Sequence, residues 1–118
     1  MDTMYYGPGF IGSPYQQVEL VYDTGSDWLV VEAKACKTCL NNTYDSSKSS
    51  TYKRVDNDYI EHLYGSAALY GYDAKDTFSI DFANKSRVYN FEFFEIYDQK
   101  GLMENIDGIM GMSRRMTN

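Results

Sequence analysis

The sequence has no long apolar run and no excess of basic residues, and each absence excludes a class of protein. No run approaches the roughly 20 apolar residues that a membrane-spanning helix needs. Lys and Arg number 11 against 17 Asp and Glu, which gives a net charge of −6. The basic footprint of a nucleic-acid-binding protein is therefore missing. The opening Met-Asp-Thr-Met also lacks the basic and apolar regions of a signal peptide. We therefore expect any targeting or pro-segment to be missing from this chain.

Histidine and cysteine are scarce, which limits metal and redox chemistry. The two cysteines form the stretch Cys36-Lys-Thr-Cys39, and His62 is the only histidine. A zinc site would need two further ligands, and a thioredoxin-like redox pair would need a βαβ setting. A structural disulfide closing a short loop and a pair of free thiols remain as alternatives. The sequons at 41–43 and 84–86, together with a possible disulfide, favour an oxidising compartment.

The residues that are abundant indicate one β-rich domain. Hydrophobic residues make up 43% of the 118 residues and aromatic residues 16%, including 12 tyrosines. A chain of this length and composition forms one domain with a real core, and its aromatic content suits strands. Disorder is excluded by the same numbers.

The hydrophobic period along the chain is two, which is typical of strands. Apolar residues alternate with polar ones at 16–22 and again at 78–82, where Ser79 and Asp81 are the polar members, while residues 28–33 are mostly apolar. In the segment 87–97 the alternation changes phase between Phe93 and Phe94, which predicts a β-bulge or a sharp bend. Residues 45–51 form a polar loop. Since no helix-length amphipathic stretch, repeat or linker is present, we predict a single all-β domain.

The stretch VYDTGSDWLVV sets one acid, Asp23, in a Thr-Gly turn between two apolar runs. A carboxylate held near apolar surroundings is costly unless a partner satisfies it or a reaction uses it. Two carboxylates that share one proton can activate water, because one donates while the other accepts. The tripeptide alone is equally typical of an ordinary turn.

Four motifs in order resemble the amino-terminal lobe of pepsin-like aspartic proteases. The stretch FIGSPYQQVELVYDTGS has the family's Gly-Ser-Pro turn and its Gln in register with Asp-Thr-Gly-Ser. YDSSKSSTY resembles the loop that follows, and HLYGSAALYGYDAKDTFSI resembles the hairpin called the flap. DGIMGMS resembles the segment that runs behind the catalytic loop. The resemblance implies an all-β barrel or sandwich, here as a single amino-terminal lobe spanning residues 1–118.

The resemblance implies roles for the residues of the Asp-Thr-Gly-Ser turn. Asp23 would be one of two catalytic carboxylates, Gly25 and Ser26 would support it, and Thr24 would reach towards the opposite lobe. The family reaction is peptide-bond hydrolysis by activated water, with no metal, no other cofactor and no covalent intermediate.

The resemblance also implies a set of residues that bind substrate. Tyr64, Gly65 and Ser66 would cover a bound peptide as the tip of the flap. Ile109 would line the pocket beside the scissile bond. For His62 the family offers no role.

Two residues depart from the family pattern beside the site. The family's Trp after the catalytic loop, which hydrogen-bonds the flap Tyr, is replaced by Val30, while Trp28 lies two residues earlier. An offset of two keeps the same face of a strand, so Trp28 could serve nearby. Ala67 replaces a flap Gly and should stiffen the tip slightly.

Family enzymes join two lobes, each with one catalytic Asp, and this sequence has one Asp-Thr-Gly. Four hypotheses follow: part of a two-lobed endopeptidase truncated before its second lobe, a homodimer that pairs two copies of Asp23, an inactive peptide-binding module, or a redox protein built on Cys36 and Cys39. The redox hypothesis lacks its fold context. The expected partners are a peptide or protein substrate and a second lobe or second copy. The family implies a secreted or acidic, lysosome-like or vacuole-like location.

Overall fold

The architecture is known from a computed structural model, which describes residues 5–23, 28–39, 44–64, 66–80, 87–101 and 107–111. Eight strands carry almost all of the regular structure, and the all-β prediction is confirmed. They are β1 (Tyr5–Ile11), β2 (Gln16–Asp23), β3 (Leu29–Glu32), β4 (Lys53–Arg54), β5 (Ile60–Tyr64), β6 (Ala67–Ser79), β7 (Val88–Lys100) and β8 (Gly108–Gly111). A short 3₁₀ turn, Ser46–Lys48, interrupts the predicted polar loop. Within these described ranges, no helix is long and apolar enough to cross a membrane.

The strands form one mixed sheet that closes on itself. Its order is β1-β2-β8-β3-β7-β6-β4, β5 pairs with β6, and β1 also pairs with β6 through Phe10 and Ser79. Six strands therefore complete a barrel. The pairs β2–β8 and β3–β7 are parallel and the other pairs are antiparallel.

Alternation in β2 follows the predicted pattern, while β3 is buried throughout, including its last residue Glu32, because it is a central strand. Val18 and Leu20 are buried and their neighbours Gln17 and Glu19 are exposed. All four residues of β3 are buried, since β7 and β8 flank the strand and both of its faces are covered. A near-continuous apolar run is typical of a strand that is buried on both faces.

The bulge predicted between Phe93 and Phe94 is wrong. These two residues keep an unbroken register with Ala74 and Asp73 of β6. The alternation is lost there because both faces of β7 are buried, and Phe93 and Phe94 are 2% and 0% exposed. The register shifts instead flank this region, between Tyr70 and Gly71 and between Asp76 and Phe78 of β6.

The outward position expected for Ser79 is also wrong. Ser79 is fully buried, because it pairs with Phe10 where β1 closes the barrel. Ile80, which the pattern placed inside, is 38% exposed just beyond the end of β6. Phe82 and Asp81, the other members of that pattern, lie outside the described residues.

Two hydrophobic clusters occupy opposite faces of the same strands. The barrel cluster draws on all six strands of the closed barrel and comprises Ile11, Val18, Leu20, Leu29, Val31, Tyr44, Ala74, Phe78, Phe93 and Met110. The hairpin cluster lies under the β5–β6 hairpin and comprises Val21, Val30, Cys36, Ala67, Leu69, Phe94, Ile96 and Ile109, with Trp28, Cys39, Ile60 and Tyr64 packed at its margin.

Candidate functional site

Asp23 lies at the carboxyl end of β2, beside the end of β8. Its Cα partner in the parallel ladder is Gly111, and β8 fits between β2 and β3. Gly108 allows this fit, because a Cβ at that position would lie 2.1 Å from the Val30 carbonyl oxygen. The DGIMG motif therefore forms the strand that supports the Asp23 end of β2.

Asp107 fixes the start of that supporting strand. Its carboxylate accepts a hydrogen bond from the Glu19 backbone N–H at 2.6 Å, and its own N–H donates to the Glu19 carbonyl at 2.8 Å. The Glu32 N–H donates to the Asp107 carbonyl at 2.7 Å. Asp107 thus joins β2, β8 and β3, a role that its place before Gly108 in the motif did not reveal.

The β5–β6 hairpin covers Asp23. Tyr64 ends β5 opposite Ala67, the first residue of β6, and its hydroxyl donates a hydrogen bond to an Asp23 carboxylate oxygen. Ser66 is exposed in the turn between the two strands. Gly65 and the loop residues Thr24, Gly25 and Ser26, which complete the predicted sets, lie outside the described residues.

Ile109, predicted to line a substrate pocket, belongs to the hairpin cluster. Its Cα partners are Val21 in β2 and Val30 in β3, and its side chain is 3% exposed. The residue lies two positions before Gly111 and therefore close to Asp23. Its role in binding substrate stays a prediction.

Two motifs that are distant in the sequence meet beside the barrel. The Ser13 N–H donates to the Ser49 hydroxyl at 3.0 Å, and the Ser50 N–H donates to the Ser13 carbonyl at 2.9 Å. Gln16 exchanges two hydrogen bonds with the Asp45 backbone, at 2.8 and 2.7 Å. The Gly-Ser-Pro turn and the Gln after it therefore anchor the loop that precedes β4.

A buried aspartate that sequence analysis missed holds the same loop from inside. Asp76 accepts hydrogen bonds from the Tyr44 and Thr51 hydroxyls, each at 2.6 Å, and from the Thr77 N–H at 2.7 Å. Burial, and then the hydrogen bond to Asp76, raise the pKa of Tyr44 far above its usual value. Tyr44 therefore remains neutral and donates to the carboxylate.

A second buried acid, Glu95, lies in the centre of β7. Its side chain is fully buried, and one of its carboxylate oxygens accepts from the Tyr52 hydroxyl at 2.5 Å. Burial raises the pKa of Glu95 despite this bond and the nearby Arg54. Neither the alternation of β7 nor a motif distinguishes Glu95 from Glu92, which is exposed in the same strand. Glu95 is buried because of the way other parts of the chain pack against β7.

Cys36 and Cys39 form a disulfide, which confirms the structural alternative. The loop between them is anchored on β7, where the Thr38 hydroxyl donates to the Asp98 carboxylate at 2.6 Å and accepts from the Gln99 N–H at 2.8 Å. Both cysteines contact the hairpin cluster. The disulfide therefore braces the base of the region that carries Tyr64.

No cluster of three His, Cys, Asp or Glu side chains that could hold a metal occurs within the part of the chain that the structure describes. What the site offers is one carboxylate, Asp23, under a hairpin that provides a phenolic hydroxyl. The carboxylate can exchange a proton with a bound water. The shared-proton chemistry of a carboxylate pair needs a second acid opposite Asp23.

Comparison with known proteins gives one family and several relatives. The family profile described as "Eukaryotic aspartyl protease" matches residues 4–118. Cathepsin D of Gallus gallus is 36% identical over 121 residues, with 96% of this chain and 29% of the relative covered. Cathepsin D of Homo sapiens is 36% identical, with 96% and 31% covered. Plasmepsin I of Plasmodium falciparum is 35% identical, with 94% and 25% covered. The chain thus spans less than a third of the length of these relatives.

Proposed function

Because the chain belongs to the eukaryotic aspartyl protease family, we propose that it supplies one catalytic carboxylate to an aspartic endopeptidase. The observation that carries the proposal is Asp23 at the end of β2, beneath a hairpin whose Tyr64 hydroxyl reaches its carboxylate. The reaction is hydrolysis of a peptide bond by a water held between two aspartates.

Asp23 acts in this reaction as one member of an acid–base pair. One carboxylate takes a proton from the attacking water while the other donates a proton to the substrate carbonyl oxygen. Gly25 and Ser26 support the Asp23 carboxylate, and Thr24 reaches across to the second acid. The buried β8 strand, with Gly111 paired to Asp23, supports this role because it fixes the Asp23 backbone at the end of β2.

The β5–β6 hairpin covers the substrate in the proposed enzyme. Tyr64, Gly65 and Ser66 close over an extended peptide, and Ile109 contributes to the apolar wall beside the scissile bond. The exposure of Ser66 and the position of Tyr64 at the end of β5 support this arrangement. Opening of the hairpin would have to break the Tyr64–Asp23 hydrogen bond to admit substrate.

The second aspartate comes from a second lobe, and residues 1–118 act as the amino-terminal lobe. The relatives, of which this chain covers 25–31%, have room for such a lobe. Pairing of two copies of this chain, with the two Asp23 loops facing each other across a two-fold axis, is the alternative source.

We also propose that the protein works in a secreted or acidic, lysosome-like compartment. The Cys36–Cys39 disulfide supports an oxidising environment, since such bonds persist outside the reducing cytosol. The net charge of −6 fits an acidic medium, in which carboxylates gain protons and self-repulsion falls.

The test is cleavage of a denatured protein substrate at acidic pH by the chain and by its Asp23→Asn variant, with the mass in solution measured in parallel. Asn keeps the size of the side chain and removes its acid–base function. We expect any cleavage to disappear in Asp23→Asn. Cleavage by a species with the mass of two chains would identify the homodimer. Cleavage only after a second lobe is supplied would identify the two-lobed enzyme.

Asp58→Asn is the matched control, because Asp58 is an exposed aspartate in the loop before β5. It should cleave as the unmodified chain does. Cleavage that persists in Asp23→Asn would overturn the proposal. Peptide binding without cleavage, whichever lobe is supplied, would instead support an inactive binding module.

A further inference from the structure

The single histidine and the single tryptophan of the chain are in contact beneath the β5–β6 hairpin. The His62 ring lies 4.4 Å from the Trp28 ring and 4.6 Å from the Phe94 ring, measured between centroids. Trp28 and Phe94 are themselves 5.8 Å apart. The three rings therefore form one aromatic group, which we call the Trp28–His62–Phe94 cluster.

The Trp28–His62–Phe94 cluster joins the hairpin to the part of the barrel that carries Asp23. The Trp28 carbonyl accepts a hydrogen bond from the Gly111 N–H at 2.9 Å, and Gly111 is the ladder partner of Asp23. Phe94 is fully buried in β7. The two residues that contact His62 are thus joined to the barrel, Trp28 through its backbone carbonyl and Phe94 through burial of its side chain.

His62 is on the same face of β5 as Tyr64, two residues before it. The residues at 60, 62 and 64 are partly buried, while Glu61 and Leu63 are exposed. A displacement of the His62 ring would therefore move the Tyr64 hydroxyl relative to the Asp23 carboxylate that it contacts.

The surroundings of His62 suit an imidazole better than an apolar side chain. Its Nε2 lies 3.9 Å from an Asp73 carboxylate oxygen of β6, and the two side chains are 36% and 30% exposed. Asp23 is hydrogen-bonded to Tyr64, two residues from His62 along β5. The His62 ring meets the Trp28 ring at 56° and the Phe94 ring edge-on at 84°, and tilted and T-shaped arrangements of aromatic rings are favourable.

We propose that His62, in contact with both Trp28 and Phe94, is a positioning residue that sets the hairpin over Asp23. This inference rests on the proposed function, in which that hairpin covers the substrate. His62 itself touches neither substrate nor reacting atoms. It acts through Tyr64, two residues along the strand.

The test uses Trp28 emission and hydrogen exchange, so it needs no substrate and no activity. The surroundings of an indole set its fluorescence, so Trp28 emission reports the contact between the Trp28 and His62 rings. We expect the emission of the chain to change in a folded His62→Ala, in which the indole loses that contact. His62→Phe, which keeps a ring beside Trp28, should restore most of the unmodified emission.

Hydrogen exchange shows whether an aromatic ring at position 62 holds β5 in place. Backbone amides of β5 should exchange roughly three- to tenfold faster in His62→Ala than in the unmodified chain, the range expected for the loss of aromatic contacts. His62→Phe should restore slow exchange. Leu63→Ala, at a residue that is 73% exposed on the outer face of the same strand, is the matched control and should leave exchange and emission unchanged.

Two results would overturn the inference. One is Trp28 emission that is unchanged in a folded His62→Ala, and the other is unchanged β5 exchange in the same variant. If His62→Ala fails to fold, His62→Leu, which keeps apolar volume without an aromatic ring, replaces it in both measurements. Loss of protease activity in every form of the chain would count against the proposed function and leave these readouts intact.

Discussion

The barrel cluster and the hairpin cluster share strands but differ in how they are closed. Along β2, β3, β7 and β8, neighbouring residues point to opposite clusters, as Phe93 and Phe94 do. The barrel cluster is enclosed by the six strands of the barrel. Partly buried residues border both clusters, but those of the hairpin cluster include Tyr64 of β5 and Trp28, which contacts the only histidine of the chain.

Because of this difference, the two faces of the same strands have different roles. The enclosed face provides a rigid support, in which even the acid Asp76 has hydrogen-bond donors. The face that carries the hairpin cluster is covered by the β5–β6 hairpin, whose first strand is only partly buried. This hairpin is the element proposed to open for substrate. Segments with fewer buried contacts open at lower free-energy cost than the core.

The largest expected effect comes from comparing Phe93→Ala with Phe94→Ala. Phe93→Ala should lower the free energy of unfolding by about 3–5 kcal/mol, because the enclosed barrel cannot close the cavity. Phe94→Ala should cost about 1 kcal/mol less, since the partly exposed Trp28 and His62 can move into the gap. Urea unfolding measures both.

Trp28 emission sharpens the same comparison. The emission should change in folded Phe94→Ala, because the Phe94 ring lies 5.8 Å from the indole. It should remain unchanged in folded Phe93→Ala. An equal loss of stability in the two variants, or the reverse order, would contradict the proposed difference between the clusters.

A smaller effect is expected where the barrel cluster holds its buried acid. Tyr44→Phe removes one of three donors to Asp76, a carboxylate that is 1% exposed. Hydrogen bonds to charged groups contribute about 1.5–3 kcal/mol, so the free energy of unfolding should fall by that amount. Tyr5→Phe, at a residue that is 64% exposed, is the control and should be neutral in urea unfolding. A neutral Tyr44→Phe would show that Asp76 does not depend on this bond.

The smallest effect is a pH dependence set by Glu95. Burial raises the pKa of Glu95, so the folded state holds its proton to a higher pH than the unfolded chain does. The free energy of unfolding that this group contributes is therefore greatest below the unfolded value of about 4.3 and falls as the pH rises through the folded value.

Glu95→Gln should flatten that decline when urea unfolding is followed from about pH 4 to pH 8. Glu92→Gln, at an exposed residue of the same strand, should keep the slope of the unmodified chain. A slope that is unchanged in Glu95→Gln would show that other groups produce the pH dependence.

Sequence reasoning was most accurate where a motif constrains the backbone. Asp23 of the Asp-Thr-Gly motif ends β2, Ile60–Tyr64 and Ala67–Ser79 form the β5–β6 hairpin, and Gly108–Gly111 of the DGIMG segment forms β8. It was least accurate where burial depends on a distant strand. Ser79 is covered by β1, and β7 is covered on both faces, so alternation misled there.

The sequence by itself determined the strand content, the family and the position of Asp23, because period, turn residues and motif spacing are local properties of the chain. Only the tertiary structure decided that Tyr64 meets Asp23, that Asp76 and Glu95 are buried, and that Trp28 contacts His62. The two contacts join residues 41 and 34 positions apart, and distant strands cover the two acids. They depend on how the sheet closes, which no short stretch of sequence encodes.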